Sequence, residues 1–151
     1  MRCRVLVAAF LMIVGLLPTI TAQEGEYREA ESPYQDDFEY TVNTELAPLV
    51  EVDGVRWTRF AVMVKGGKEI VDDKNMAVTV EMGFVNTNPN TAKVLVIALF
   101  EDAAGTPLDR VECAQVSASR DRLKESVQKF KLSGAVLEAT RRIYLYCEIN
   151  R

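Results

Sequence analysis

Met76, Val78, Val80, Met82 and Phe84 recur at every second position, with Thr79 and Glu81 among the residues between them. Successive side chains of an extended chain point to opposite faces, so this run can place one apolar face on a core only as a β-strand. Its neighbours read the same way. Leu49-Val50-Glu51-Val52 leads into Asp53-Gly54 and on to Val55-Arg56-Trp57. Asp-Gly between apolar runs signals a two-residue hairpin, because both turn positions favour positive φ. Residues 60–64 extend the second strand, and Gly66-Gly67 ends it.

The pattern persists to the last residues. Asp72-Asp73-Lys74-Asn75 reads as a polar turn and Asn86-Thr87-Asn88-Pro89-Asn90 as a loop. Residues 94–100 are apolar throughout and read as a central strand covered on both faces. Asp102-Ala103-Ala104-Gly105 turns the chain into a strand over 108–116 that carries Cys113. Residues 119–126 fit either a helical turn or a charged loop. A strand over 128–132 turns inward Phe130 and Leu132, and Ser133-Gly134 reverses the chain. In the last strand, 142–149, Ile143, Leu145, Cys147 and Ile149 share one face, while Tyr144, Tyr146 and Glu148 share the other. About seven strands without an alternating helical pattern predict an antiparallel β-sandwich over residues 46–151.

Residues 1–22 carry a different signal. Arg2 and Arg4 precede an apolar run over 5–17, Pro18 closes it, and Ala22 offers a cleavage point. This is the layout of a secretory signal peptide, and the run is too short for a spanning helix of about 20 residues. The processed chain is therefore expected in the periplasm or outside the cell, and not spanning a membrane. Removing Arg2 and Arg4 leaves 16 basic against 22 acidic residues, so the net charge moves from −4 to −6. That balance disfavours nucleic acid as a partner, since its recognition needs a basic patch.

Residues 23–45 contain eight acids, among them Glu29, Glu31, Asp36 and Asp37, against the single basic residue Arg28. The composition predicts a disordered acidic leader, although Tyr27, Tyr34, Phe38 and Tyr40 offer anchors that could dock on the domain. Loss of Cys3 with the signal leaves Cys113 and Cys147. In an oxidising compartment such a pair predicts a disulfide. The bridge would close a loop of about 35 residues and contribute roughly 3–4 kcal/mol.

Val78-Thr79-Val80-Glu81-Met82-Gly83-Phe84-Val85-Asn86-Thr87 resembles the opening strand of the FxLYD-type domains of bacterial extracytoplasmic proteins. Residues 94–99 followed by Phe100-Glu101-Asp102-Ala103-Ala104-Gly105 are similar to the family's apolar strand ending in an aromatic, an acid and a glycine turn. Residues 123–132 resemble its later strand. Here Ile97, Phe100 and Glu101 replace the family's Phe, Tyr and Asp, and Lys124-Glu125-Ser126 stands where a Pro-Gly turn is expected. The resemblance implies an immunoglobulin-like sandwich with an accessory or interaction role, and it supplies no catalytic residues.

The chain has no histidine. It lacks the usual general base near neutral pH, the commonest metal ligand and the partner of Ser-His and Cys-His nucleophiles. Glu101-Asp102 and Asp72-Asp73 fall at turns, where such acids bond local backbone. A calcium site from loop carboxylates with Asn86, Asn88 or Asn90 lacks the spacing of a calcium loop. Met76 and Met82 fall on the core face and, with Met63, read as packing rather than copper ligands. No catalytic residue, metal or cofactor is therefore expected.

The expected function is non-enzymatic: binding to another protein or an envelope component, or a structural role. Two alternatives stand beside it. Trp57, Tyr144 and Tyr146 could form the exposed aromatic surface of a carbohydrate-binding module. A self-associating subunit, such as a homodimer, could pair through an edge strand.

Overall fold

A computed structural model describes residues 25–150 of the chain. Residues 1–22, with the expected signal peptide and Cys3, lie outside the described residues. The strands are β1 (Arg28–Ala30), β2 (Tyr34–Glu39), β3 (Glu45–Leu46), β4 (Val50–Val52), β5 (Val55–Val64), β6 (Asn75–Asn86), β7 (Ala92–Glu101), β8 (Pro107–Glu112), β9 (Val116–Ala118), β10 (Leu123–Ser133) and β11 (Arg142–Asn150). A short α-helix, α1 (Gly134–Ala139), links β10 to β11. Sheet A runs β1-β4-β5-β6-β10, with β3 also on β5. Sheet B runs β2-β11-β7-β8, with β9 also on β7. Their apolar faces meet in one core.

The local signals explain much of sheet A. Asp53 and Gly54 both hold positive φ, 47° and 76°, and Val52 pairs directly with Val55 across the tight turn. Met76, Val78, Val80, Met82 and Phe84 all point into the core. In β5 the inward residues are Val55 and Trp57, then Phe60, Val62 and Val64, a break in the period of two. A bulge between Trp57 and Arg59 absorbs Thr58 and resets the alternation. Gly83 lies under that bulge, where a Cβ would stand 2.7 Å from the Thr58 hydroxyl.

The sandwich is larger and less uniform than the sequence predicts. Eleven strands occur among the described residues instead of about seven, because several are only two or three residues long. Sheet A is mixed, since β1 runs parallel to β4. The ambiguous stretch 119–126 ends as the start of β10, and the helical turn lies later, in α1.

Within the acidic segment 23–45, the described residues 25–45 are built into the fold, correcting their reading as a disordered leader. They contribute β1 to sheet A and β2 to the edge of sheet B. Tyr34 and Tyr40 are buried and Phe38 packs against the core, so the aromatics sit at strand spacing on one face. Asp36 shares that face, and its charge is met by Arg28 at 2.6 Å and by the Tyr34 hydroxyl, which donates to it at 3.1 Å. Ser32 Oγ accepts from the Ile149 amide at 2.8 Å, fastening the link between β1 and β2 to β11. The Tyr40 hydroxyl donates to the Thr44 carbonyl and accepts from the Val62 amide at 2.7 Å. Its burial pushes its pKa up to about 12.

The predicted Cys113–Cys147 disulfide is also corrected, for a reason visible in the register. Cys147 on β11 lies opposite Val96 on β7. The Cys113 amide donates to the Val96 carbonyl at 2.9 Å from the other side of the same strand. Both cysteines face the core, but they flank β7 two strand spacings apart, about 9–10 Å. A disulfide needs Cα atoms within about 7 Å. Both are free, buried thiols. Desolvation pushes each pKa up to about 12, which suits inert core side chains better than redox groups.

Candidate functional site

Sheet B has one face on the core and one toward solvent. The register places Tyr144 between Asp37 on β2 and Leu99 on β7, and Arg110 on β8 completes the row. The next row is Gln35, Tyr146, Ile97 and Glu112. Leu95 follows Ile97 on this face, opposite Glu148. Strand pairing thus gathers Leu95, Ile97, Leu99, Tyr144 and Tyr146, all half-buried, into one apolar strip on the outside of the sheet. No layer of the described residues covers it, which corrects the expectation that residues 94–100 are covered on both faces.

The phenols are held in place. The Tyr144 hydroxyl donates to Gln35 Oε1 at 2.5 Å, and the Tyr146 hydroxyl donates to Glu148 Oε2 at 2.9 Å. The Glu148 carboxylate beside it raises the Tyr146 pKa. Arg142 Nη2 lies 3.4 Å from Asp37 and its Nε 3.8 Å from Glu101, closing one end of the strip. Arg110 pairs with Glu112 at 3.1 Å along the β8 side. Glu39, opposite Arg142, and Glu148 add further acids, so the rim is predominantly acidic. An apolar centre within a polar rim is the anatomy of a protein-binding surface.

Trp57 does not join the two tyrosines. It is fully buried in sheet A, packed on Phe60 and Phe84, and its indole N–H donates to the Arg59 carbonyl at 2.9 Å. The hairpin position suggested exposure, but Trp57 shares the inward face of β5 with Val55. The loop asparagines likewise serve the fold. Asn86 is fully buried and its Nδ2 donates to the carbonyls of Asn90 at 2.8 Å and Ala118 at 2.9 Å. Its Oδ1 accepts from the Asn88 amide, and Asn88 Nδ2 donates to the Asp53 carbonyl. This network ties the β4–β5 turn, the β6–β7 loop and β9 together.

The turn carboxylates are similarly committed. Asp102 Oδ1 accepts from the amides of Ala104 and Thr106 at 2.8 and 2.9 Å, and those bonds, Thr106 first, lower its pKa. Glu101 is nearly buried beside Arg142. Among the described residues no group of three or more His, Cys, Asp or Glu side chains is arranged to hold a metal, and no helix is long and apolar enough to cross a membrane.

The shared face of Tyr144 and Tyr146 is legible in the sequence, and both stand half-buried on the outer side of sheet B. The apolar character of Leu95, Ile97 and Leu99 signals burial in the sequence, and only the strand register sets them beside the tyrosines. Together the structure defines a two-sheet β-sandwich with an uncovered apolar face. No family model and no curated protein matches the chain.

Proposed function

We propose that the chain is a non-enzymatic β-sandwich protein, exported to the periplasm or the cell exterior, that binds another protein through the outer face of sheet B. The apolar strip of Leu95, Ile97, Leu99, Tyr144 and Tyr146 carries this reading. Half-exposed aliphatic side chains gain little for folding where no layer covers them, and desolvating them supplies association energy. The acidic rim favours a partner surface with basic residues around an apolar centre. The signal-like order of residues 1–22 supports export. The finer assignment to the immunoglobulin-like FxLYD type rests on residues 78–87 and 94–105, which lie on β6 of sheet A and on β7 of sheet B with the turn that follows it.

The test compares the purified chain with an Ile97→Ser/Tyr146→Ser variant as bait in the exported protein fraction of the source cells. Matched unfolding midpoints establish that both baits are folded. A protein retained by the native chain and lost by the variant, with direct binding reproduced from purified components, supports the reading. Equal retention by both baits, or binding only to glycans on an array, overturns it.

A further inference from the structure

The edges of the two sheets are blunted to different degrees. β1 is three residues long, and β8 is six residues with Pro107 at its start and a register shift opposite Phe100 and Glu101. β2 is also six residues and carries acids along its outer side. Such features deter edge-to-edge pairing. β10 is different. It runs eleven residues, Leu-Lys-Glu-Ser-Val-Gln-Lys-Phe-Lys-Leu-Ser, with neither proline nor glycine. It pairs with β6 along its whole length, and no other described strand pairs with it. Leu123 and Val127, 60% and 59% exposed, lie on its outer face.

We infer that the free edge of β10 pairs antiparallel with β10 of a second copy, with Val127 on the two-fold axis. A two-fold axis makes the interface isologous, so each contact occurs twice. With Val127 facing its own copy, Glu125 meets Lys129 of the second copy and Lys129 meets its Glu125. Both ion pairs flank the Val127 pair on the outer face. Leu123 then faces Lys131, Lys124 faces Phe130, and Ser126 faces Gln128. No lysine meets a lysine.

The alternatives fit less well. Centring the pair on Gln128 sets Val127 against Lys129 of the other copy. Centring it on Ser126 sets Val127 against Glu125. Parallel in-register pairing stacks all three lysines on their counterparts. A slip of one residue in one strand exchanges the faces that its side chains occupy. The lysines of β10, ordinarily a deterrent at an edge, here select one register.

On the inner side, Gln128 is already engaged within its own chain. Its Nε2 donates to the Ala114 carbonyl at 2.8 Å and its Oε1 accepts from the Ala114 amide at 2.6 Å. This holds β10 to the β8–β9 connection and keeps the strand extended for a partner. The interface uses β10, whereas the proposed partner face lies on sheet B, so the two readings stand independently.

Charge exchange tests both the edge and the register. Analytical ultracentrifugation to millimolar concentration compares the native chain with E125K, K129E and the double variant E125K/K129E. The native chain is expected to form a dimer. Each single change places like charges together twice and is expected to weaken the dimer at least about tenfold. The double variant restores opposite charges only in the Val127-centred register and is expected to recover dimerisation. Glu125 and Lys129 are both exposed, and circular dichroism checks that each variant retains its sheet. A native chain that stays monomeric, single variants that dimerise as well as the native chain, or a double variant that fails to recover overturns the inference.

Discussion

The two faces of β7 carry similar side chains and meet opposite surroundings. Val94, Val96, Ala98 and Phe100 are buried between the sheets, whereas Leu95, Ile97 and Leu99 line the outer face of sheet B and stay half-exposed. Cys147, Val96 and Cys113 continue the inner side across three strands, as Tyr146, Ile97 and Glu112 continue the outer one. Hydrophobicity alone therefore does not reveal which face supports the fold. Coverage decides it: an inner side chain loses its solvent contact on folding, while an outer one retains part of it until something binds.

The sharpest way to break this comparison is to truncate one residue on the inner face. Phe100→Ala removes a fully buried ring and is expected to cost about 3–5 kcal/mol in urea unfolding. A loss below about 1 kcal/mol would show that the inner face is not close-packed and would remove the contrast with the outer one.

The buried thiols sharpen the contrast through pH. Both raised pKa values, from 9 to about 12, belong to the folded state. An unfolded thiol ionises first, so its contribution to stability is complete below about pH 9 and is lost as pH rises toward 12. The slope reaches about 1.4 kcal/mol per pH unit for each thiol. Tyr34 and Tyr40, whose pKa values rise from 10 to about 12 chiefly through burial, add to the decline above pH 10. Urea midpoints between pH 8 and 11 measure this slope, and Cys147→Ala should reduce it. Dithiothreitol should leave the midpoint unchanged at neutral pH, and a thiol reagent should react only when the chain opens. A stability loss on reduction would restore the disulfide that the register excludes.

What the sequence revealed follows from how local each signal is. The Asp53-Gly54 hairpin and the alternation along β6 need only neighbouring residues, and both appear where the spacing places them. The inward side of β11 was legible for the same reason. Strand order is not local. Cys113 and Cys147 have the right faces for a bridge, but β7 lies between their strands. Composition also concealed β2: its acids dominate the segment, while Tyr34, Phe38 and Tyr40 keep strand spacing beneath them. On β7 an uninterrupted apolar run suggested a second covering layer, because the half-exposed outer face and the core face use the same kinds of side chain. Trp57 shows the converse, since a position next to a turn says little about which way an indole points.

The smallest expected change in stability is also the one that separates folding from binding. Ile97→Thr keeps a β-branched side chain, so it preserves the local preference for a strand. The position is half-exposed, and its neighbours across the strands are Tyr146 and Glu112. The lost aliphatic contact with the Tyr146 ring should cost about 0.2–1 kcal/mol, far less than Phe100→Ala. The hydroxyl can remain hydrated in the free protein. When a partner covers the strip, that hydroxyl must lose water against an apolar surface, so association should weaken more than folding does. Urea unfolding and titration with the partner distinguish the two effects. Equal losses in folding and binding would mean that Ile97 acts as a core residue and that the outer face has no separate role.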